Sequence, residues 1–234
     1  MFIDQAMKVA TEKSMTFSEE WDVCYKNNTQ MAIWPWSELV SFVMKYGYRA
    51  NKKIRILELG CGAGANIPFF MSLNAEYFAM DGSATIVKTL KKKFPTIKEN
   101  IVIGDFTKEI PFKGTFDLIV DRSAITHNTT RGIMQCLDLV YTKLKKGRKY
   151  IGTGWFSTMH SDYKHGIQDQ DFFTRTNYKN GQFVHVGRVH FSDKKHLLDL
   201  FKKFKILVLE HNITKTEVPK KNNVIAGWNI VAQK

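Results

Sequence analysis

From residue 54 onward, short apolar runs alternate with stretches whose apolar residues recur every three or four positions. The runs are 54–60 (IRILELG), 76–81 (EYFAMD), 100–105 (NIVIGD), 116–121 (FDLIVD) and 148–155 (RKYIGTGW). Their length suits strands, and their near-continuous apolar character suits strands covered on both faces. Between them, 66–73, 83–93 and 131–145 carry apolar residues at helical spacing, so the pattern predicts an α/β fold with a parallel sheet. Further on, "SDKKHLLDLFKKF" reads as an amphipathic helix with Ser192 or Asp193 as its N-cap. Two more strands follow, 205–214 and 223–232, and the turn-like "KTEVPKKN" between them allows an antiparallel hairpin.

Two segments stand outside this rhythm. Residues 157–191 are polar, aromatic and rich in His, Asp and Gly, and an insertion of that length is a candidate lid. Ahead of the sheet, residues 1–50 have a helical pattern and an aromatic cluster, "EEWDVCYKNNTQMAIWPW", expected to form an N-terminal cap. No repeat or linker divides the 234 residues, so one domain is expected.

Composition narrows the function classes. A chain that is 44% hydrophobic and 24% charged is that of a globular protein. No stretch reaches the roughly 18 to 20 apolar residues of a membrane span, and "MFIDQAMKVATEK" lacks the apolar core of a signal peptide. A soluble, cytoplasmic protein without a membrane partner is therefore expected. Cys24, Cys61 and Cys136 show neither a CxxC nor a paired framework, which fits reduced thiols, and the histidines show no recognisable metal-ligand spacing. The net charge of +13 raises a nucleic-acid partner. The lysine pairs, however, sit where helices end or loops begin, and there they complement helix dipoles. Nothing in the composition decides an oligomeric state.

The chemistry concentrates in "ILELGCGAG", residues 56–64. A strand ending in alternating glycines lets the backbone approach a ligand, and the helix that follows presents its positive end there. One reading is a dinucleotide fold, since Gly60, Gly62 and Ala65 satisfy GxGxxA and Asp81 ends the next strand. The other turns on Glu58: a carboxylate beside a pyrophosphate would repel it, so an acid here favours a ligand without one.

The stretch "ELGCGAG" resembles the first motif of class I S-adenosylmethionine-dependent methyltransferases, E/D-x-G-x-G-x-G, and further matches in order cover residues 54–156. The resemblance implies a doubly wound seven-stranded sheet of order 3-2-1-4-5-7-6, mostly parallel with an antiparallel last strand. It implies S-adenosylmethionine as cofactor, released as S-adenosylhomocysteine. Glu58, Gly60, Cys61, Gly62, Gly64 and Asn66 would organise the glycine turn and the methionine end. Asp81, followed by Gly82 and Ser83, would take the ribose hydroxyls; Asp105 and Phe106 would read the adenine; and Asp121, Arg122 and Ser123 would lie beneath the methionine portion. "DRSAI" resembles a motif of the thiopurine methyltransferase relatives, which points to small-molecule acceptors.

A sulfonium carries its methyl already activated, so the protein must align the partners, exclude water and, for a weak nucleophile, remove a proton. His127 is the first candidate base, followed by His160 and Tyr163 in "FSTMHSDYKHG". Tyr25, Trp34, Trp36 and His165 are expected at the acceptor or in a lid. The acceptor is expected to be a hydroxyl of a sugar-like or secondary-metabolite molecule, with sulfur or nitrogen acceptors and RNA as the alternatives.

Overall fold

The computed structural model describes residues 18–50 and 52–234; the expectations for the first 17 residues lie outside the described residues. Helices α1 (Glu20–Lys26) and α2 (Ser37–Phe42, extended by one π-helical turn) come first, and β1 (Ile54–Leu59) opens the sheet. The chain continues through α3 (Ile67–Ser72), β2 (Ala75–Asp81), α4 (Ala84–Lys93), β3 (Ile101–Ile103), β4 (Phe116–Arg122), α5 (Thr130–Lys143) and β5 (Leu144–Phe156). Three short strands follow, β6 (Ile167–Gln168), β7 (Thr174–Thr176) and β8 (Val189–His190), and then α6 (Lys194–Leu200), β9 (Lys205–Lys215) and β10 (Val224–Gln233).

The seven long-range strands form one sheet in the order β3-β2-β1-β4-β5-β10-β9. Counted along the chain this is the expected 3-2-1-4-5-7-6. β1 runs parallel to β2 and β4, whereas β10 is antiparallel to both β5 and β9. Alternation along each strand divides the apolar residues between two layers. Leu57, Leu59 and Ile119 pack with Ile133, Leu137 and Phe201 from α5 and the end of α6. Ile56, Leu118 and Val120 pack with Leu39, Phe70, Ile86 and Leu90 on the other face. Helix starts follow local chemistry: Ser83, Thr129 and Asp193 each accept a backbone N–H from the first turn of α4, α5 and α6.

Two boundaries differ from the pattern reading. The helix expected to reach residue 145 ends at Lys143, because Leu144 is fully buried in extended conformation and already pairs with Phe116. The third strand is shorter than expected, since Gly104 and Asp105 have left it for the turn beyond.

The insertion is more structured than a loop. β6, β7 and β8 form a small antiparallel sheet of their own, over a cluster of Tyr178, Phe183, Val186, Val189 and Phe191. Phe156, at the end of β5, places its ring 4.7 Å from Phe183 and 5.9 Å from Phe191, which ties this cluster to the main sheet. The Cys24 thiol reaches the His185 carbonyl at 3.5 Å, so α1 and the insertion meet.

At the end of β4, Asp121 is fully buried. Its Oδ1 accepts from the backbone of Ala124 (2.8 Å) and Ile125 (3.0 Å), and its Oδ2 from Trp155 Nε1 (2.7 Å) and the Tyr150 hydroxyl (3.3 Å). This one side chain shapes the turn after β4 and fastens it to β5. Asp121→Asn must turn an amide NH2 toward N–H donors in either orientation, so a loss of about 1–3 kcal/mol is expected. Urea unfolding measures it, and an unchanged midpoint would contradict the anchor.

Candidate functional site

The carboxyl ends of the central strands open into a cavity of about 700 Å³. Its floor is the turn after β1. Gly60 has φ +66°, and a Cβ there would lie 2.2 Å from the Ala124 Cβ, so no side chain fits. A Cβ at Gly62 would approach the Tyr25 hydroxyl to 2.9 Å, which places that phenol directly over the turn.

Glu58 lines the cavity at 2% exposure. One oxygen accepts from Asn66 Nδ2 at 2.8 Å, and the other takes the Tyr77 hydroxyl in a short hydrogen bond. Burial pushes its carboxyl up to about 7 against the pull of these two donors. Asn66 stands at the start of α3 but does not cap it. Its Oδ1 instead accepts the Trp36 backbone N–H at 3.1 Å, so it bridges Glu58 to the segment before α2.

Asp81 closes the next strand end. Its oxygens accept from Gly62 N and Ser83 N, both at 2.9 Å, and burial raises its pKa while these donors oppose the rise. Ser83 donates to Asp22 at 2.5 Å, and Thr85 N donates to the same oxygen at 3.1 Å, which fastens α1 to the start of α4. The Lys26 ammonium beside Asp22 holds its carboxyl well below the usual range. Asp105 accepts from the Thr107 backbone (2.9 Å) and hydroxyl (2.6 Å), and Phe106 is buried beside it.

On the far side, Arg122 lays its guanidinium 3.6 Å over the Trp36 ring. Ser123 adopts φ +56° and donates its hydroxyl to the Gly154 carbonyl at 2.8 Å. His127 Nδ1 lies 2.9 Å from the Arg188 carbonyl, which can only accept, so Nδ1 carries the proton and Nε2 the lone pair. The imidazole meets Trp21 edge-on at 4.8 Å, and burial lowers its pKa to about 4.

Most of the residues singled out from the sequence come together here: Tyr25, Trp36, Glu58, Gly60, Cys61, Gly62, Asn66, Asp81, Gly82, Asp105, Phe106, Arg122, Ser123 and His127 all line the cavity. Others do not. Gly64 packs toward Leu90 and Ile67, Ser83 and Asp121 act from behind the lining, and Trp34 is 78% exposed away from it. His160 and Tyr163, the further candidate bases, and His165, a candidate for the acceptor site or the lid, do not line the cavity, and their polar atoms are engaged within the insertion. His160 accepts from Asp162 N at 3.1 Å and contacts the Gln182 amide; the Tyr163 hydroxyl donates to the Phe172 carbonyl at 3.1 Å; and His165 pairs with Asp162 at 3.0 Å. Pattern reading also missed Glu38, Gln182, Val186, Asn212 and Asn229 in the lining. Lone residues at scattered positions gave no signal to find them. Among the described residues, no three His, Cys, Asp or Glu side chains converge as a metal site, and no helix is long and apolar enough to cross a membrane.

Comparison with known proteins agrees with this geometry. Residues 56–147 match the family described as a methyltransferase domain. Over 132 residues the chain is 26% identical to the malonyl-[acyl-carrier protein] O-methyltransferase of Priestia megaterium (strain DSM 319 / IMG 1521), covering 54% of this chain and 47% of that protein. The chain thus matches about half the length of that curated relative. A SAM-dependent methyltransferase structure from Methanosarcina mazei superposes with TM-score 0.64 at 15% identity, over 82% of this chain and 96% of that one. The N-methyltransferase NodS from Bradyrhizobium japonicum WM9, in complex with S-adenosyl-L-homocysteine, does so with TM-score 0.57 at 11% identity, over 84% and 86%. At such identities the likeness is one of fold.

The raised pKa of Glu58 sets the sign of a pH effect. The folded state binds this proton more tightly than the unfolded chain, so the stability it contributes is complete below about 4.5 and is lost as pH rises to about 7. Glu58→Gln removes the titration and can keep both partners, its carbonyl accepting from Asn66 and its amide donating to Tyr77. Wild type is expected to lose roughly 3 kcal/mol relative to Glu58→Gln across that window, by urea unfolding at a series of pH values. Parallel stability curves would argue against a buried, neutral Glu58.

Proposed function

From a chain that has the class I, Rossmann-like fold of S-adenosylmethionine-dependent methyltransferases, with a methyltransferase domain at 56–147, we propose that it transfers a methyl group from S-adenosylmethionine to a small-molecule acceptor. The observation that carries this reading is the charge of the cavity. Glu38, Asp81 and Asp105 line it, joined by Glu58 as it ionises near pH 7, against the single guanidinium of Arg122, in a chain of net charge +13. A pyrophosphate would face these acids with no cation in the glycine turn. A ligand bearing a sulfonium and an ammonium suits them.

The residues divide the ligand between them. Asp81, oriented by Gly62 N and Ser83 N, has two acceptor oxygens for a ribose diol. Asp105 and the buried Phe106 ring suit an adenine edge and face. Glu58 and Asn66 suit the ammonium of the methionine end. When bound, this cofactor supplies an activated methyl group; what remains for the chain is alignment, dryness and a proton acceptor. Trp21, Tyr25, Phe183 and Val186 line the cavity and give it the apolar surface that dryness requires. His127, with its proton fixed on Nδ1 and its pKa lowered by burial, is neutral at pH 7 and holds Nε2 ready to accept a proton. Oxygen is the first acceptor atom by likeness to the O-methyltransferase, with nitrogen and sulfur next.

Calorimetric titration with S-adenosylhomocysteine and NAD tests the reading. Binding of the former and not the latter is expected, and Asp81→Ala should weaken it by about tenfold or more, the scale of a lost charge-assisted hydrogen-bond pair. Binding to NAD alone, or to neither, would refute it. Affinity should also rise between pH 5.5 and 7.5 as Glu58 ionises, a dependence absent in Glu58→Gln.

A further inference from the structure

Arg122 sits in the lining with an unusual lack of partners. Its guanidinium stacks on Trp36 at 3.6 Å, and no carboxylate or carbonyl among the described residues hydrogen-bonds or ion-pairs with it. Glu38 and Asp121 act on its charge without bonding it; one Glu38 oxygen accepts from Asn229 Nδ2 at 2.7 Å and Asn212 Nδ2 at 3.2 Å, at the β9–β10 side. Burial lowers the guanidinium's pKa, though it stays charged at any physiological pH. A partly desolvated cation with five unused donors is costly unless an anion meets it.

Its place in the sheet decides which molecule that anion belongs to. The acids assigned to the cofactor stand at the ends of β1, β2 and just beyond β3. Arg122 ends β4, and its Nε would lie 3.9 Å from a Cβ at Gly154 on β5. It therefore faces the half of the cavity bounded by β5 and β10, where Phe156, Ile225 and Val186 add an apolar wall. We propose that Arg122, braced by Trp36, is the specificity-determining anchor for a carboxylate on the methyl acceptor, whose apolar body lies against Phe156, Val186 and Ile225. The fork of the guanidinium matches a carboxylate in bidentate geometry, and the stacked indole fixes its plane. The acceptor class is thus a small amphipathic acid. This inference rests on the methyltransferase reading above and narrows it.

The test uses whole protein saturated with S-adenosylhomocysteine. It is titrated with monocarboxylic acids from acetate to phenylpropionate and with the matching primary amides, as wild type, Arg122→Met and Arg122→Lys. At least one acid is expected to bind about tenfold tighter than its amide. Arg122→Met should remove that preference and Arg122→Lys retain part of it. No preference for any acid in the wild type, or a preference that survives in Arg122→Met, overturns the proposal. So does an Arg122→Met variant that loses S-adenosylhomocysteine but keeps 5′-methylthioadenosine, because the anion would then be the cofactor's own carboxylate. Retained S-adenosylhomocysteine binding without an acid preference defeats this inference alone; absence of that binding in the wild type defeats the methyltransferase reading and this inference with it.

Discussion

A carboxyl group buried at the end of a strand must find donors, and meeting that requirement at Glu58 organises the elements around it. Asn66 at the start of α3 and Tyr77 in β2 satisfy its two oxygens. The first contact fixes how the chain leaves the glycine turn. The second joins β1 to β2 through side chains as well as through the backbone pairing of Glu58 with Ala79. Asn66 then passes the constraint on by accepting from Trp36, so the segment before α2 is drawn to the same point. A sheet, a helix start and a cap segment all meet at one acid.

Above this floor, the roof is assembled from parts far apart in the chain. Asp22 clamps α1 onto the start of α4, bringing Trp21 and Tyr25 over the turn. The insertion arrives from the other side: Arg188 supplies the carbonyl that orients His127, and Phe183 and Val186 complete the apolar cover. The segment expected as a loop-like lid has its own small sheet and aromatic cluster. Its order gives the His127 tautomer a fixed partner, which a mobile loop could not do.

Charge is divided by location. Lys91, Lys92 and Lys93 occupy the last turn of α4, where they complement the helix dipole, and other cations pair on the surface, as Lys203 does with Asp138. The acids at the strand ends gather in the cavity instead. The net charge of the whole chain therefore describes its outer surface and says little about the ligand. The exception within the cavity, Arg122, becomes informative because it stands alone there.

What the sequence by itself determined were the features written in short windows: the alternation of strands and helices, the glycine turn after β1, and acids at successive strand ends. These follow from side-chain periodicity and backbone freedom, which act over a few residues. Even so, Asp105 and Asp121 could be placed at strand ends without showing that only the first would reach the cavity. Tertiary structure alone decided the rest. His160, Tyr163 and His165 lie in a segment whose local pattern did not reveal the partners that occupy them, Asp162, Gln182 and Phe172. Ser83 meets Asp22 across 61 positions, and Glu38 meets Asn229 across 191, and no local spacing encodes either contact. Such pairs arise only once the chain has crossed the sheet and packed, because desolvation then forces each buried polar group to bond with whatever neighbour the topology has brought there.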